Sequence, residues 1–221
     1  MITLDNRLAA AAELCRNGKT AVDVGCDHAQ LACRLAMDKS ALVIASDVRD
    51  GPLEAARRTV SECGAENVRI VKSDGLAEID FADDVIICGM GGELIARIIG
   101  GCRFLSGDTR FILQPMTRAD FLRKWLYGHG FELLEERTAY DGGRGYTVML
   151  AAYTSVPREI DELFALTGKI TDGNFLRKIA EKLSKNADGM EKSQSGTEQA
   201  ESLRELSRKV LEKSENLGKR F

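Results

Sequence analysis

Lys19-Thr20-Ala21-Val22-Asp23-Val24-Gly25-Cys26-Asp27-His28-Ala29-Gln30-Leu31 is the stretch whose reading decides the fold. Ala21 to Val24 form a short apolar run interrupted by one carboxylate, as a buried strand would. Gly25 supplies the sharp turn, and Leu31, Ala32, Leu35 and Ala36 open an apolar helical face. A strand that turns at a glycine into a helix directs backbone N–H groups and a helix N-terminus at one ligand site. In a doubly wound sheet such a site lies at the carboxyl ends of the strands, where the strand order reverses.

The turn is not a dinucleotide fingerprint. G-x-G-x-x-G starting at Gly25 would need glycine at 27 and 30, where this chain has Asp27 and Gln30. Asp23 and Asp27 flank the turn and would repel a pyrophosphate, whereas a ligand with a positive centre would be favoured. S-adenosylmethionine carries a sulfonium and an ammonium. The competing reading gives Asp23 a turn-capping role and makes Asp27 the N-cap of the following helix, a common task for Asp.

Outward from this stretch, strands and helices alternate. Leu4 to Cys15 carries a helical stripe with Thr3 as its expected N-cap. Ala41 to Asp47 is a second strand; Leu53 to Cys63 is a helix stopped by Gly64, after the break at Gly51-Pro52. Asn67 to Lys72, Asp84 to Cys88 and Arg110 to Leu113 are strands three to five. A helix over Ala119 to His129 turns Phe121, Leu122, Trp125 and Leu126 inward. Phe131 to Arg137 and Tyr146 to Tyr153 then form two strands about the Gly-rich turn Asp141 to Gly145. The alternation predicts an α/β fold whose parallel sheet ends in an antiparallel hairpin, the Rossmann-like pattern of class I methyltransferases.

Each early strand ends in groups suited to a nucleoside. Asp47, with Val48 beside it, is placed to accept hydrogen bonds from both ribose hydroxyls, and Asp74-Gly75 to meet an adenine amino group. Taken singly, each is equally readable as a capping Asp or an ordinary Asp-Gly turn. Gly89-Met90-Gly91-Gly92 lies between strand four and its helix. It leaves backbone bare for a flat ring, with Met90 as a polarisable surface, or else is a tight turn packed against a neighbouring helix. The N/D-P-P-Y sequence of many amino-methyltransferases is missing there, which implies a different target atom or geometry.

At 221 residues, 44% hydrophobic and 29% charged, the chain suits one soluble domain with an appendage. No apolar run approaches the roughly 20 residues of a membrane helix, and Met1 to Arg16 lacks the basic start of a signal peptide. Six cysteines without a C-x-x-C, and two histidines far apart, predict reduced thiols, a cytoplasmic location and no metal site. A net charge of −3 does not advertise nucleic-acid binding; a local basic face would suffice for it.

From residue 156 the composition changes, predicting domains at 1–155 and 156–221. Ile160, Leu163, Phe164, Leu166 and Ile170 mark one helical face, and Phe175, Leu176, Ile179 and Leu183 a second. Lys185 to Gly196 reads as a loop or loose helix end, and Leu203, Leu206, Val210 and Leu217 keep a heptad-like spacing. This helical, coiled-coil-like part either stabilises the first domain or clamps a substrate. Lys169, Arg177, Lys178, Lys182 and Lys185, with Arg118, Arg123, Lys124 and Arg144, are candidates for a phosphate-binding stripe.

Several pieces together resemble the bacterial tRNA (adenine-22-N1)-methyltransferases. They are Arg7-Leu8, Val22 to Leu31, Gly51-Pro52, Ser73 to Leu76, Cys88 to Ile95, Leu113 to Met116 and Leu122 to Leu126, in order over most of residues 1–155. The resemblance implies S-adenosylmethionine as donor and N1 of adenine 22 in tRNA as acceptor. Asp47 stands where the family more often has Glu, and Met116 where it usually has Asn. The expected donor site comprises Asp23, Gly25, Asp27, His28, Asp47, Val48, Asp74, Gly75, Gly89 and Met90. The expected substrate side comprises Met90, Gly91, Gly92, Gln114, Pro115 and Met116. Asp27 is the catalytic candidate; His28 either positions donor or substrate or packs beneath the loop. The alternatives are a class I methyltransferase for another RNA or a small molecule, and a non-catalytic S-adenosylmethionine- or RNA-binding protein.

Overall fold

The computed structural model describes residues 2–192 and 196–218. It divides into two compact units, Met1–Glu159 and Ile160–Phe221. In the first unit the chain runs α1 (Asn6–Leu14), β1 (Thr20–Val24), α2 (Gln30–Asp38), β2 (Leu42–Asp47), α3 (Asp50–Cys63) and β3 (Val68–Lys72). It continues with β4 (Asp84–Gly91), α4 (Gly92–Gly100), β5 (Arg110–Thr117), α5 (Ala119–Gly128), β6 (Phe131–Asp141) and β7 (Arg144–Tyr153).

The seven strands form one sheet in the order β3-β2-β1-β4-β5-β7-β6. β1 to β5 are parallel, and β7 enters antiparallel between β5 and β6. This is the Rossmann-like methyltransferase sheet with its terminal hairpin. The order reverses between β1 and β4, so a crevice must open above their carboxyl ends. Strands covered on both faces must be apolar throughout: Val22, Ile86, Ile87, Phe111 and Ile112 are fully buried. Phe111 meets Phe131 edge to face at 5.4 Å.

The structure moves several boundaries. The N-cap of α1 is Asp5, not Thr3: its carboxylate accepts from Leu8 N at 2.9 Å, which an anion at a helix start does better than a hydroxyl. Gly51-Pro52 lies inside the first turn of α3, where proline loses no helical hydrogen bond. β4 and β5 run further than expected, through Gly91 and Thr117, with register shifts at Cys88/Met90 and Met90/Gly91. Gly-Met-Gly-Gly is therefore a bulged strand end rather than an open loop. The β6–β7 hairpin is also longer, and turns on Gly142 and Gly143 alone, both at positive φ.

One expected surface cation is interior. Arg123 and Glu136 have side chains 2% and 0% exposed and pair between α5 and β6; Thr147 Oγ1 donates to Glu136 Oε1 at 2.6 Å. Arg123 thus leaves the phosphate stripe. Trp125 and Phe121 are only half-buried, while Leu122 and Leu126 are fully buried.

The second unit contains α6 (Glu162–Thr167), α7 (Gly173–Lys192) and α8 (Thr197–Gly218). α6 is shorter than expected, with Ile160 and Ile170 outside it; Asp161 caps it by accepting from Phe164 N at 2.7 Å. Of the two readings of Lys185 to Gly196, the helix end holds for Lys185 to Lys192, which extend α7, and 193–195 lie outside the described residues. Leu176, Ala180 and Leu183 of α7 pack with Val210, Leu203, Leu206 and Leu217 of α8. The turn between α6 and α7 is fastened by Lys213 Nζ, which donates to Thr167 Oγ1 and Gly168 O at 2.7 and 2.9 Å.

Candidate functional site

The crevice between β1 and β4 is a cavity of about 390 Å³. Seven of the expected donor residues line it: Asp23, Gly25, Asp27, His28, Asp47, Gly89 and Met90. The turn that builds it is more contorted than a single glycine bend. Gly25, Asp27 and Ala29 all have positive φ, at 73°, 48° and 54°. The N–H groups of Gly25 and Cys26 both donate to Ser46 O, at 2.8 and 2.9 Å, and so hold the turn against β2 rather than facing a ligand. Left-handed backbone at a non-glycine residue costs roughly 1–2 kcal/mol, and Asp bears it better than most. Such strain concentrates at working sites.

Asp27 does not have the expected capping geometry, while Asp23 accepts from the first turn of α2. The residue before α2 is Ala29, with no side-chain cap, so Asp27 is not its N-cap. Asp27 instead stands out from the wall, its side chain 67% exposed, with Oδ2 at 3.7 Å from His28 Nε2. His28 is likewise exposed, which removes the reading of an imidazole packed under the loop. Asp23 is buried on β1. Burial pushes its carboxyl up from the ordinary value to about 7, partly offset by a hydrogen bond from the Ala32 backbone. Buried apolar surroundings and the neighbouring Asp23 also push the Cys26 and Cys88 thiols up, so both stay protonated and neither is poised as a nucleophile.

Asp47 closes the far wall. Its Oδ1 accepts from Arg49 N at 2.9 Å and lies 3.6 Å from Arg49 Nε. Gly25 turns at a φ of 73° that side chains rarely adopt, and a Cβ there would fall 2.2 Å from Met90 Cε, the movable end of that side chain. Val48, Asp74 and Gly75 do not line the cavity; Val48 and Asp74 are exposed at the ends of β2 and β3, and Gly75 is half-buried against Ile98.

The expected substrate side divides. Met90 lines the cavity, Gly91 is half-buried and Met116 is 42% exposed, whereas Gly92, Gln114 and Pro115 are buried. At Gly92 a Cβ would sit 2.4 Å from Arg118 O, so this glycine serves the packing of α4 on the β5–α5 turn. Gln114 is an internal bracket. Its Oε1 accepts from Gly89 N at 3.0 Å and Arg7 Nη1 at 2.9 Å, and its Nε2 donates to Pro115 O.

Arg7 is the residue that sequence reasoning left without a role. It reaches the cavity from α1, held by Gln114 and by Asp5 at 2.9 Å, and puts a cation opposite three carboxylates. Its sequence signal is that Arg7-Leu8 is one of the pieces that carry the family resemblance; its place on an ordinary amphipathic helix gives it no role. A wall of this kind suits a zwitterion: carboxylates for an ammonium or sulfonium, a guanidinium for a carboxylate. Among the described residues no group of three or more His, Cys, Asp or Glu is arranged to hold a metal ion, and all six cysteines are free. No helix in those residues is long and apolar enough to cross a membrane.

A methyltransferase-domain family matches residues 4–149. The tRNA (adenine(22)-N(1))-methyltransferase of Bacillus subtilis strain 168 is 35% identical over 182 residues, 80% of this chain and 76% of that protein. The crystal structure of the B. subtilis m1A22 tRNA methyltransferase TrmK superposes with a TM-score of 0.72 at 28% identity, covering 98% of this chain and 99% of that one. Streptococcus pneumoniae Sp1610 in complex with S-adenosyl-L-methionine superposes with a TM-score of 0.79 at 28% identity, over 95% and 100% of the two chains. The family match over residues 4–149 and 35% identity across four-fifths of the sequence place this chain in the family of tRNA (adenine(22)-N(1))-methyltransferases.

Proposed function

We infer that this protein transfers a methyl group from S-adenosylmethionine to N1 of adenine 22 in tRNA. The observation that carries the reading is the cavity at the β1/β4 switch point, acidic on β1, its turn and β2, with Arg7 and the Asp47-paired Arg49 as its arginines. Its volume lies in the range of small-molecule sites, and its charges match a donor with an ammonium, a sulfonium and a carboxylate. Bound there, S-adenosylmethionine supplies an electrophilic methyl group on a positively charged sulfur.

The chain's own residues then have distinct tasks. Asp23 provides buried negative charge for the donor's cationic end, and Arg7 meets its carboxylate. Asp47 holds the ribose through the oxygen that Arg49 leaves open, and Asp74 on the rim meets the adenine amino group. Gly89 and Met90 shape the passage through which the acceptor base approaches. Adenine N1 has an in-plane lone pair and attacks without first losing a proton, so positive charge develops on the base as the C–S bond gives its electron pair back to sulfur. Asp27, at the mouth, stabilises that charge and later takes a proton from the exocyclic amino group. N1 lies on the Watson–Crick edge, so the adenine must leave any pair or stack first.

Labelled S-adenosylmethionine with unmodified tRNA transcripts, followed by nucleoside analysis, tests the reading. Label in 1-methyladenosine that vanishes when adenine 22 is replaced is the expected result. Label in another nucleoside would move the target, and donor binding without transfer to any adenine-22 tRNA would remove the catalytic role.

The raised Asp23 carboxyl gives a pH signature. Its charged form attracts the donor, so affinity should be level above about pH 7 and fall toward tenfold per unit below it. In the free protein the same group opposes folding as pH rises from its unfolded value near 4 to about 7, because the folded state holds the proton more tightly. Titration calorimetry between pH 5.5 and 8.5 should show the affinity trend, and Asp23→Asn should flatten it. A pH-independent affinity in the parent protein would remove Asp23 from the donor's cationic end.

A further inference from the structure

Beyond the cavity wall at Met90, β4 and β5 pair once more at Gly91↔Thr117, and the chain then turns at Arg118 into α5. Arg118 lies three residues past Pro115, the strand partner of Met90, so extended chain puts it roughly 10 Å from that wall. Its Nη1 pairs with Glu93 Oε1 at 2.9 Å, on the first turn of α4, and its Nε is 3.9 Å from Asp120 Oδ1. The guanidinium carbon sits 5.5 Å from the centroid of the Phe121 ring. The side chains of Arg118 and Glu93 are 55% and 62% exposed.

Two features set this arginine apart from a solvated surface cation. The first is its backbone, left-handed at φ 56° and ψ 42°, which glycine or asparagine adopts with less strain. The backbone's part in the turn is played by the Arg118 carbonyl, which packs over Gly92 and accepts from Leu122 N at 3.1 Å. A glycine would do that as well; what it would lose is the guanidinium, and strain kept for a side chain points to a use for that side chain. The second feature is the way the guanidinium is held. The Phe121 ring fixes its plane, whereas its bond to Glu93 is an exposed ion pair, a kind that adds little to stability and is readily exchanged. Arg97 stands exposed at i+4 from Glu93 on α4, the favourable order for a helical pair, so Glu93 keeps a cation within reach when Arg118 turns away.

We propose that Arg118 binds a backbone phosphate of the tRNA beside the acceptor adenine, and that Glu93 holds its guanidinium until the phosphate displaces the carboxylate. The exchange rests on the reading of the cavity as an RNA methyltransferase site. A guanidinium meets two phosphate oxygens with the same fork that it offers a carboxylate, and a phosphate released from its counterions is the stronger partner. Gripping the strand one short step beyond Met90 sets how far the adenine reaches into the cavity, and so where N1 stands against the donor's methyl group. Glu93 acts only through Arg118: it keeps the fork aligned in the free protein and competes with the incoming phosphate.

The test measures tRNA affinity against salt, KM for tRNA and donor affinity for Arg118→Asn, Glu93→Gln and the double variant in the full chain. Asparagine tolerates the left-handed turn, so Arg118→Asn removes the cation without straining the backbone. It should weaken tRNA binding about threefold to tenfold, raise KM for tRNA to match, and lower the slope of log affinity against log salt by nearly one. Glu93→Gln should do the opposite and tighten tRNA binding about twofold to threefold, because the competing charge is gone. The double variant should bind as Arg118→Asn does, since Glu93 has no effect without the cation it holds. Donor affinity within twofold of the parent in all three reports an intact fold. Equal weakening by Arg118→Asn and Glu93→Gln would make the pair a brace between α4 and α5 and overturn the exchange. So would tightening by Glu93→Gln that persists in the double variant, which would make Glu93 a general repellent of RNA. A parent that methylates tRNA while Arg118→Asn keeps the parent's affinity and salt slope would overturn the phosphate contact alone. A parent that neither binds nor methylates RNA would overturn the contact and the function together.

Discussion

Glu136→Ala is expected to lower the thermal midpoint of this protein by about 10–15 °C. Arg123 Nε reaches both carboxylate oxygens, at 3.1 and 3.3 Å, Nη2 adds a further contact to Oε1, and both side chains are sealed from water. Removing the carboxylate strands a guanidinium in the interior, which typically costs about 3–5 kcal/mol. Each kcal/mol shifts the midpoint of a domain this size by about 2–4 °C, and the whole margin of a domain is only about 5–15 kcal/mol. Arg123→Met with Glu136→Leu should recover most of the loss, since no charge is then buried alone. Calorimetric melting of the single and double variants measures both. A midpoint for Glu136→Ala within about 2 °C of the parent would mean that Arg123 finds water or another anion, contrary to its burial.

That pair also shows where sequence reasoning stops. Arg123 sits in Leu122-Arg123-Lys124-Trp125-Leu126, and an arginine beside a lysine on an amphipathic helix is ordinarily a solvated cation. Its burial depends on Glu136 and Thr147 arriving from β6 and β7, a contact set by the sheet and invisible along the chain. The sheet itself was legible because its signals are local. Apolar runs ending in Asp23 and Asp47 and the glycine stop at Gly64 announce strands and helices before any tertiary contact forms. Element ends were less legible for the same reason. β4 and β5 lengthen through Gly91 and Thr117 because they pair with each other, although Gly89, Gly91 and Pro115 weaken any local strand signal.

The cavity divides along the same line. Asp23, Gly25, Asp27, His28, Asp47, Gly89 and Met90 stand at strand ends, where topology alone brings them together. Arg7 enters from a helix that precedes the first strand, and no periodicity aims it there. Gln114 shows the converse: its place after β5 is that of a substrate contact, yet its amide is used up on Arg7, Gly89 and Pro115. Its part is to fix the two walls between which the reacting atoms meet, and misplacement of such walls by an ångström is costly in rate.

Asp27→Asn is the variant that separates charge from shape at the mouth of the cavity, and it is expected to lower kcat by about 10²–10³ while donor affinity stays within threefold. Alanine is the poorer choice. At φ 48° an alanine would strain the turn, whereas asparagine tolerates the left-handed region and keeps the side-chain volume. Asp27→Gly, which relaxes the backbone and removes the side chain, should fall at least as far as asparagine if the carboxylate acts on the reaction. The adenine gains a full positive charge as its N1 bonds carbon, and a fixed carboxylate at the mouth favours that state over the neutral base. The effect is bounded because Asp27 is exposed and its field is shared with water and His28. Single-turnover transfer measured beside donor titration distinguishes the outcomes. Loss of transfer in both variants at unchanged donor affinity assigns Asp27 to the developing charge. Full turnover in Asp27→Asn would give its carboxylate no part in the chemistry, and weakened donor binding in both would make Asp27 a wall of the donor site alone.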